Sequence, residues 1–448
     1  MKFYFVIISI RKEIIMAKEH LIERPFYLEK LKAWKDKEDL VKIVTGVRRC
    51  GKSKLFTLFQ DYLLKTKKVQ KSQIVAINLE DPLQVRKIGL TLNDKLLLSD
   101  YNTLLDFILS KLVKGKMCYV FIDEVQLVEN WQQVANALRL QENVDVYLTG
   151  SNAYMFSSDL ANSFGGRYVE IKMQPFSFKE YHTAYMLSHK DEALNENAVY
   201  NRYITESGFP QTLAFNGDRQ LISDYLLNTV YLNTIQKDVV KRFNIAQSDK
   251  LDVFVNYLFD NIGNETSLRN IEKVLKSSGR QISVPTIDLY IKGLIDSYLV
   301  YKCDRYDIKG KQMLNGNAKY YVCDLGLRSV LLGHEDRDLG HVLENVVFLE
   351  LLRRGYKVNV GTITVQSKGE RKDIEVDFVA QKAGGILEYY QVALYTLDKD
   401  NFEREIRPLE QIQDNYPKYL LSLDFGEGNT NGIKRINVLD WLLKGDIT

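Results

Sequence analysis

The sequence predicts an α/β fold built around a parallel sheet, and three observations lead to this prediction. From Leu40 onward, short apolar runs alternate with longer helical patterns, as expected for strands joined by crossover helices. A glycine-rich loop follows the first run, and two adjacent acids end the third. Together these features are typical of a nucleotide-binding sheet.

Five apolar runs are the predicted strands of this sheet. They cover residues 40–46, 73–80, 118–125, 144–151 and 168–175. After Pro175 the pattern changes to amphipathic helices rich in tyrosine, which predict an all-helical lid.

Two further modules are predicted after the lid. Three short helical patterns and a hairpin predict a winged helix, and a helix followed by three strands and a second helix predicts another small α/β domain. The predicted divisions are an N-terminal extension, a nucleotide-binding core, the lid, the winged helix and the last domain, over residues 1–23, 24–176, 177–249, 250–333 and 334–448.

Composition excludes several classes of protein. A chain of 448 residues with 45% hydrophobic residues and only 7 prolines is neither a single small module nor a disordered tail. A net charge of +3 gives no indication of a nucleic-acid partner. The four cysteines lie far apart, without zinc-ligand spacing, which fits a reducing cytoplasm.

No membrane association is expected. The apolar run near the N-terminus is too short to span a bilayer and lacks a small-residue cleavage site. Met16 begins a segment typical of a natural start, so we expect residues 1–15 to come from a start codon assigned too far upstream. The sequence thus predicts a cytoplasmic protein.

The strongest motif is the glycine-rich loop after the first predicted strand. Residues 46–53, GVRRCGKS, fit GxxxxGK(S/T) and precede a predicted helix. Backbone N–H groups and the helix N-terminus of such a loop face phosphate oxygens. Lys52 is expected to reach the β- and γ-phosphates of ATP, and Ser53 to ligate Mg²⁺. The predicted ATP contacts are Gly46, Val47, Arg48, Arg49, Cys50, Gly51, Lys52, Ser53 and Lys54.

The second motif is an acid pair at the end of a buried strand. Asp123 and Glu124 follow four apolar positions. Burying acids at a strand end is costly unless they serve a ligand. Asp123 is expected to hold Mg²⁺ through water, and Glu124 to activate the attacking water.

Three other residues are candidates for the same site. Ser151 and Asn152 follow the next strand, where either could bind the γ-phosphate or position the lytic water. Arg167 could complement phosphate charge in its own or a neighbouring subunit, or be a surface residue. For Arg48 and Arg49, solvated loop charges are the alternative to a phosphate or interface role.

These segments resemble AAA-type P-loop ATPases of bacteria and archaea that carry a carboxyl-terminal domain of unknown function related to PD-(D/E)xK nucleases. The resemblance implies an AAA-type core, a helical lid, a winged helix and a nuclease-like fold. It covers nearly the whole chain after Ile22 and rests on GVRRCGKS, YVFIDEVQ, LTGSNAYM, GGRYVEIKMQPFSFKEY, ESGFPQTL, QKDVVKRF, KYYVCDLGLR, GHVLENVVFLELLRRGY and EVDFVAQ.

The nuclease pattern that the resemblance implies is incomplete. Glu344 and Asp377 match the first two acids, which would bind a divalent metal. At the third position Gln391 replaces the acid, and Ala393 replaces the lysine. This departure from the family pattern predicts a degenerate site, at which nuclease activity is not expected.

The predicted function couples ATP binding and hydrolysis to DNA engagement by the carboxyl-terminal modules. Two alternatives are a nucleotide-switched protein-interaction module and an ATP-gated, metal-dependent nuclease. Shared sites would require a homo-oligomer. The candidate DNA contacts in the winged helix are Thr286, Tyr290, Lys292, Arg305, Lys309 and Lys311.

Overall fold

The computed structural model describes residues 22–66, 69–93, 97–151, 164–189, 194–245, 248–333, 338–367, 370–424 and 426–444. The chain divides into two compact units. The first ends at Pro175, and the second begins at Phe176.

The first unit contains the predicted parallel sheet. Its strands are β1 (Val41–Thr45), β2 (Ile74–Asn78), β3 (Thr91–Leu92), β4 (Leu98–Ser99), β5 (Cys118–Asp123), β6 (Val144–Gly150) and β7 (Tyr168–Lys172). All five predicted strands are present and pair in the order β2-β5-β6-β1-β7, every pair parallel. Strands β3 and β4 form a separate small antiparallel pair that the sequence did not predict.

Helices connect these strands and complete the core of the first unit. They are α1 (Pro25–Ala33), α2 (Lys52–Lys65), α3 (Pro82–Ile88), α4 (Tyr101–Leu109) and α5 (Trp131–Arg139). Strands β1, β5 and β6 are buried along their whole length, which explains their continuous apolar sequences. Parallel pairing brings the carboxyl ends of these three strands to one edge of the sheet.

A buried ion pair lies near the opposite edge of the same sheet. The Lys42 ammonium contacts the Asp145 carboxylate, and both side chains are fully buried. The ammonium also donates hydrogen bonds to the carbonyls of Lys37 (2.6 Å) and Leu40 (2.9 Å). The hydroxyl of Tyr147 donates to Asp145 at 2.7 Å. These contacts offset the cost of burying both charges.

The second unit is larger and mixes helices with a second sheet. Its helices are α6 (Phe178–Ser188), α7 (Glu196–Glu206), a run over 219–243 (α8) with π-helical turns at Tyr225–Tyr231 and Ile235–Val240, α9 (Ser248–Asp260), α10 (Leu268–Ser277), α11 (Val284–Asp296), α12 (Leu325–Leu331), α13 (Leu339–Arg353), α14 (Lys399–Glu410) and α15 (Val438–Lys444). Its strands are β8 (Val300–Asp307), β9 (Gln312–Val322), β10 (Lys357–Ser367), β11 (Glu370–Gln381), β12 (Leu387–Ala393), β13 (Lys418–Ser422), β14 (Gly428–Thr430) and β15 (Ile433–Asn437).

One eight-stranded sheet crosses the predicted boundary between residues 333 and 334. Its order is β14-β15-β13-β12-β11-β10-β8-β9. The hairpin β8–β9, predicted as the wing, pairs in parallel with β10 of the following segment, with Val360 opposite Arg305. The sequence predicted strands β8 to β12 but not β13, β14 or β15. It also did not predict that the hairpin pairs with β10, because pairing between distant strands is decided by tertiary contacts. The lid, winged-helix and nuclease-like interpretations stay predictions.

We expect Asp145→Ala to destabilise the first unit by about 3 to 5 kcal/mol, because Lys42 would keep a buried charge without its counterion. Urea unfolding followed by tryptophan fluorescence measures this change. Asp61→Ala, which alters an exposed acid on α2, is the matched control. A loss no larger than in the control would show that Asp145 does not stabilise the sheet.

Candidate functional site

The glycine-rich loop connects β1 to α2 through an unusual backbone. Gly46, Arg49 and Gly51 have φ angles of 144°, 67° and 106°. A Cβ atom on Gly46 would lie 2.0 Å from the carbonyl oxygen of Met173, so only glycine fits there. Val47 and Cys50 are fully buried, so their side chains are not available to contact a phosphate.

Arg24, which is distant in the sequence, donates hydrogen bonds that hold this loop in place. Its buried guanidinium donates to the carbonyls of Cys50 (3.0 Å) and Gln174 (2.8 Å). The loop is thereby linked to the chain that follows β7. Arg24 was not predicted as a site residue, since nothing local in the sequence marks a residue whose partners lie 26 and 150 positions away.

Lys52 is directed into the loop and toward the acid pair. Its ammonium donates to the carbonyls of Gly46 (3.0 Å) and Val47 (3.2 Å). It lies 3.8 Å from Glu124 Oε1, and its side chain is only 4% exposed. The predicted phosphate-binding lysine and catalytic glutamate are therefore direct neighbours.

Thr149 orders the backbone and side chains of the acid pair. Glu124 has a φ of 55°, unusual for a non-glycine residue. The Glu124 N–H donates to the Thr149 hydroxyl at 2.8 Å, and that hydroxyl also hydrogen-bonds the Asp123 carboxylate. The motif containing Thr149 was recognised in the sequence, but this residue was not assigned a role there.

The two acids have opposite shifts in pKa. Burial favours the protonated form of Glu124, but Lys52, Arg48 and hydrogen bonds from Gln126 and Ser151 outweigh burial and lower its pKa. Burial raises the pKa of Asp123, against hydrogen bonds from Ser53 and Thr149. Glu124 is therefore ionised at neutral pH and able to accept a proton.

Gln126 bridges Glu124 and Ser151, the residue that follows β6. Its Nε2 contacts Glu124 Oε2 and donates to Ser151 Oγ at 3.3 Å. Ser151 therefore lies beside Gln126 and Glu124, and its predicted role stays a prediction, whereas Asn152 lies outside the described residues. Gln126 carries no motif signal of its own and was not predicted.

Other loop residues surround this centre. Arg48 lies 3.7 Å from the carboxylate of Glu80, at the end of β2. Arg49 and Lys54 are exposed. Ser53 hydrogen-bonds Asp123, so the hydroxyl and the carboxylate predicted to hold Mg²⁺ are adjacent. Such oxygen ligands are of the type that Mg²⁺ prefers.

Arg167 does not reach the site of its own chain. Its carbonyl accepts a hydrogen bond from Val41 at the start of β1, whereas Gly46 follows the end of β1. A five-residue strand separates these points by about 16 Å at about 3.3 Å per residue. The predicted action within its own subunit is therefore wrong, and action in a neighbouring subunit stays a prediction.

The second unit brings the nuclease-like residues together. The Asp377 N–H donates to Gln391 Oε1 at 3.4 Å, and Asp377 Oδ2 accepts from the Val392 N–H at 2.8 Å. Burial and the nearby Glu344 carboxylate raise the pKa of Asp377. Lys319, which the sequence analysis did not identify, lies among these groups.

Several candidate DNA contacts are unsuited to that role. Tyr290 is 2% exposed and packs against Phe254, so its prediction as a DNA contact is wrong. Its apolar neighbours outweighed its polar hydroxyl in deciding which way it faces. Arg305 lies 3.2 Å from Glu265 and 3.5 Å from Asp373.

The other candidate DNA contacts differ in their exposure and in the hydrogen bonds that they already make. Thr286 hydrogen-bonds Ser283 at 2.9 Å. Lys309 is exposed but donates to the Thr364 carbonyl at 3.1 Å. Lys292 and Lys311 stay candidates for DNA contacts because both are exposed.

Two other kinds of feature are absent from the described residues. Within them, no helix combines the length and apolar character needed to cross a membrane. Across those same ranges, no group of three or more His, Cys, Asp or Glu side chains is arranged to hold a metal ion.

Comparison with known proteins identifies relatives over most of the chain. A family model described as an AAA domain matches residues 38–182, and one described as a domain of unknown function (DUF8612) matches residues 197–338. An uncharacterized protein of Haemophilus influenzae is 34% identical over 95% of this chain and 99% of its own. An uncharacterized protein of Methanocaldococcus jannaschii is 30% identical over 89% of this chain and 85% of its own. A solved Walker-type ATPase of Pyrococcus abyssi is 18% identical, with a TM-score of 0.43, over 69% of this chain and 95% of its own.

We expect Thr149→Val to reduce ATP hydrolysis about 10- to 100-fold while ATP binding persists, because supporting hydrogen bonds orient the acids. The substitution keeps the shape but leaves the Glu124 N–H without its acceptor. Turnover and nucleotide affinity, measured separately, check this expectation. The control is Thr205→Val on α7, and equal turnover in both variants would contradict the orienting role of Thr149.

Proposed function

The chain belongs to the same family as these Haemophilus influenzae and Methanocaldococcus jannaschii proteins and carries an AAA domain, and we propose that it binds ATP with Mg²⁺ and hydrolyses the γ-phosphate. One observation carries the proposal: Lys52, Ser53, Asp123 and Glu124 converge at the same edge of the parallel sheet. This set contains a phosphate-binding cation, two oxygen ligands for a metal and an ionised base.

Binding requires Lys52 to exchange partners. Its ammonium contacts Gly46, Val47 and Glu124, and phosphate oxygens would replace these acceptors while the loop N–H groups and the N-terminus of α2 contact the same anion. Bound Mg²⁺, held by Ser53 and Asp123, would neutralise charge on the phosphates. Phosphate binding therefore also frees Glu124 from its ion pair with Lys52.

Glu124 is proposed to take the proton of the attacking water. Its carboxylate is already ionised before ATP binds, because Lys52 lowers its pKa, and Thr149 fixes the backbone from which it projects. Gln126 and Ser151 hold its side chain by hydrogen bonds. We assign Gln126 a positioning role, and we assign Ser151 either a hydrogen bond to the γ-phosphate or the positioning of the lytic water.

A second proposed function is DNA engagement by the second unit. Arg269, Lys273 and Lys276 are exposed on α10 at spacings of four and three residues, which places them on one helix face. Arg280 follows and is also exposed. Ile271 and Leu275 on the other face are buried, so burial fixes the outward direction of the cations.

This basic face of α10 (Arg269, Lys273 and Lys276), together with Arg280 just after the helix, supports phosphate contacts better than the predicted helix α11. In the part of the chain that the structure describes, no acidic side chain lies within ion-pair distance of these four cations. Clustered cations of this kind bind nucleic-acid backbones by releasing counterions. A protein partner with an acidic surface would be the outcome if DNA does not bind.

We expect Lys52→Ala to abolish ATP binding, because the phosphates lose their cation. Glu124→Gln should retain ATP binding and lose about 10²- to 10⁴-fold in turnover, since the amide cannot accept the proton. Phosphate release and nucleotide affinity are the measurements. Glu142→Gln, at an exposed acid of the first unit, is the control. Turnover in Glu124→Gln equal to this control would assign the base elsewhere.

We expect Lys273→Glu with Lys276→Glu to weaken duplex DNA binding and to lower the slope of log K against log salt by about 2, because each phosphate contact contributes about 1. Fluorescence anisotropy at several salt concentrations measures both effects. The control is Lys399→Glu with Lys444→Glu, which reverses two exposed lysines elsewhere in the unit. Equal affinity and slope in the two double variants would remove the basic face of α10 as the DNA contact.

A further inference from the structure

A lysine lies at the centre of the acids in the eight-stranded sheet. Lys319 on β9 has its ammonium 2.9 Å from Glu344 Oε1 and 2.6 Å from Glu375 Oε1. Its side chain is 4% exposed. Burial alone would lower the pKa of Lys319, but the charges of Glu344, Asp377 and Glu375 outweigh burial and raise it. The Lys319 ammonium is therefore held between two carboxylates at ion-pair distance.

Neighbouring hydrogen bonds hold the lysine and Glu344 in place. The Tyr321 hydroxyl, fully buried, donates to Glu344 Oε1 at 2.5 Å. Asn345 on α13 pairs with the backbone of Val322, accepting from its N–H at 2.8 Å and donating to its carbonyl at 3.0 Å. This fixes α13 against β9, so Glu344 and Lys319 are brought together by the fold itself.

A divalent cation does not fit these residues. In the nuclease pattern, Glu344, Asp377 and a third acid would surround the metal. Here Glu344 already binds the ammonium of Lys319. At the third position, Gln391 offers an amide, whose Nε2 donates to Glu405 Oε2 at 3.3 Å. An uncharged amide and an enclosed ammonium both disfavour a second positive ion.

We propose that the Lys319 ammonium takes the place of a divalent cation in this acid cluster, so that the sheet holds its acids without metal and the unit does not cleave phosphodiesters. The lysine supplies the positive charge that a metal ion would otherwise provide. The cluster thereby becomes a structural part of the sheet. Any contact of this unit with DNA is then one of binding alone.

Mn²⁺ binding tests the proposal in the full chain. All proteins carry Asp123→Asn and are free of nucleotide, so that Mn²⁺ binding at the proposed ATP site does not contribute to the measurement. With Lys319 present, we expect no Mn²⁺ binding that depends on Glu344, as measured by electron paramagnetic resonance of free Mn²⁺. Lys319→Ala should gain one Mn²⁺ site and a rise in Tm on adding Mn²⁺, because a metal now neutralises the acids. Adding Glu344→Gln should abolish both gains.

Lys302→Ala, which removes an exposed lysine from the adjacent strand β8, is the control and should gain no site. Mn²⁺ binding in the presence of Lys319 that disappears with Glu344→Gln would overturn the proposal, and so would Mn²⁺-dependent cleavage of DNA that disappears with Asp377→Asn. These two measurements need no lysine variant, so they remain decisive if Lys319→Ala fails to fold. A folded Lys319→Ala without a new Mn²⁺ site would equally overturn it.

Discussion

The parallel pairing of β5, β6 and β1 is the constraint on which the proposed nucleotide site depends. The three strands are neighbours in the sheet and run in the same direction. Their carboxyl ends therefore deliver the glycine-rich loop, the acid pair and Ser151 to one edge. Because the strands are buried on both faces, their register is held by the core. The site inherits its geometry from that core.

Charge balance then determines how the assembled groups behave. Lys52 and Glu124 are both nearly buried and lie 3.8 Å apart, so each reduces the cost of burying the other. The lysine also keeps the glutamate ionised, which suits a base. Thr149 and Gln126 satisfy the remaining polar atoms of the pair. A ligand that draws Lys52 away thus changes the environment of Glu124 directly.

The second unit also has a cluster of buried acids beside a lysine, but no phosphate ligand is proposed there. Its acids on α13 and β11 surround Lys319 from β9, and the positive charge comes from the chain itself. The hairpin that carries Lys319 pairs with β10, so the supposed wing and the nuclease-like segment share a single sheet. Separate modules at this point would have left Glu344 without its lysine.

The sequence by itself determined the features that lie within short stretches of chain. The loop over 46–53, the acids Asp123 and Glu124 and the five parallel strands follow from spacing and from continuous apolar runs, since local backbone rules govern them. Only the tertiary structure decided which distant groups meet. Arg24 reaches Cys50, Thr149 reaches Glu124 and Lys319 reaches Glu344 across 26, 25 and 25 positions. The tertiary structure also places Arg167 away from the candidate site of its own chain, and it buries Tyr290. Such contacts depend on strand order and helix packing, which no local pattern encodes.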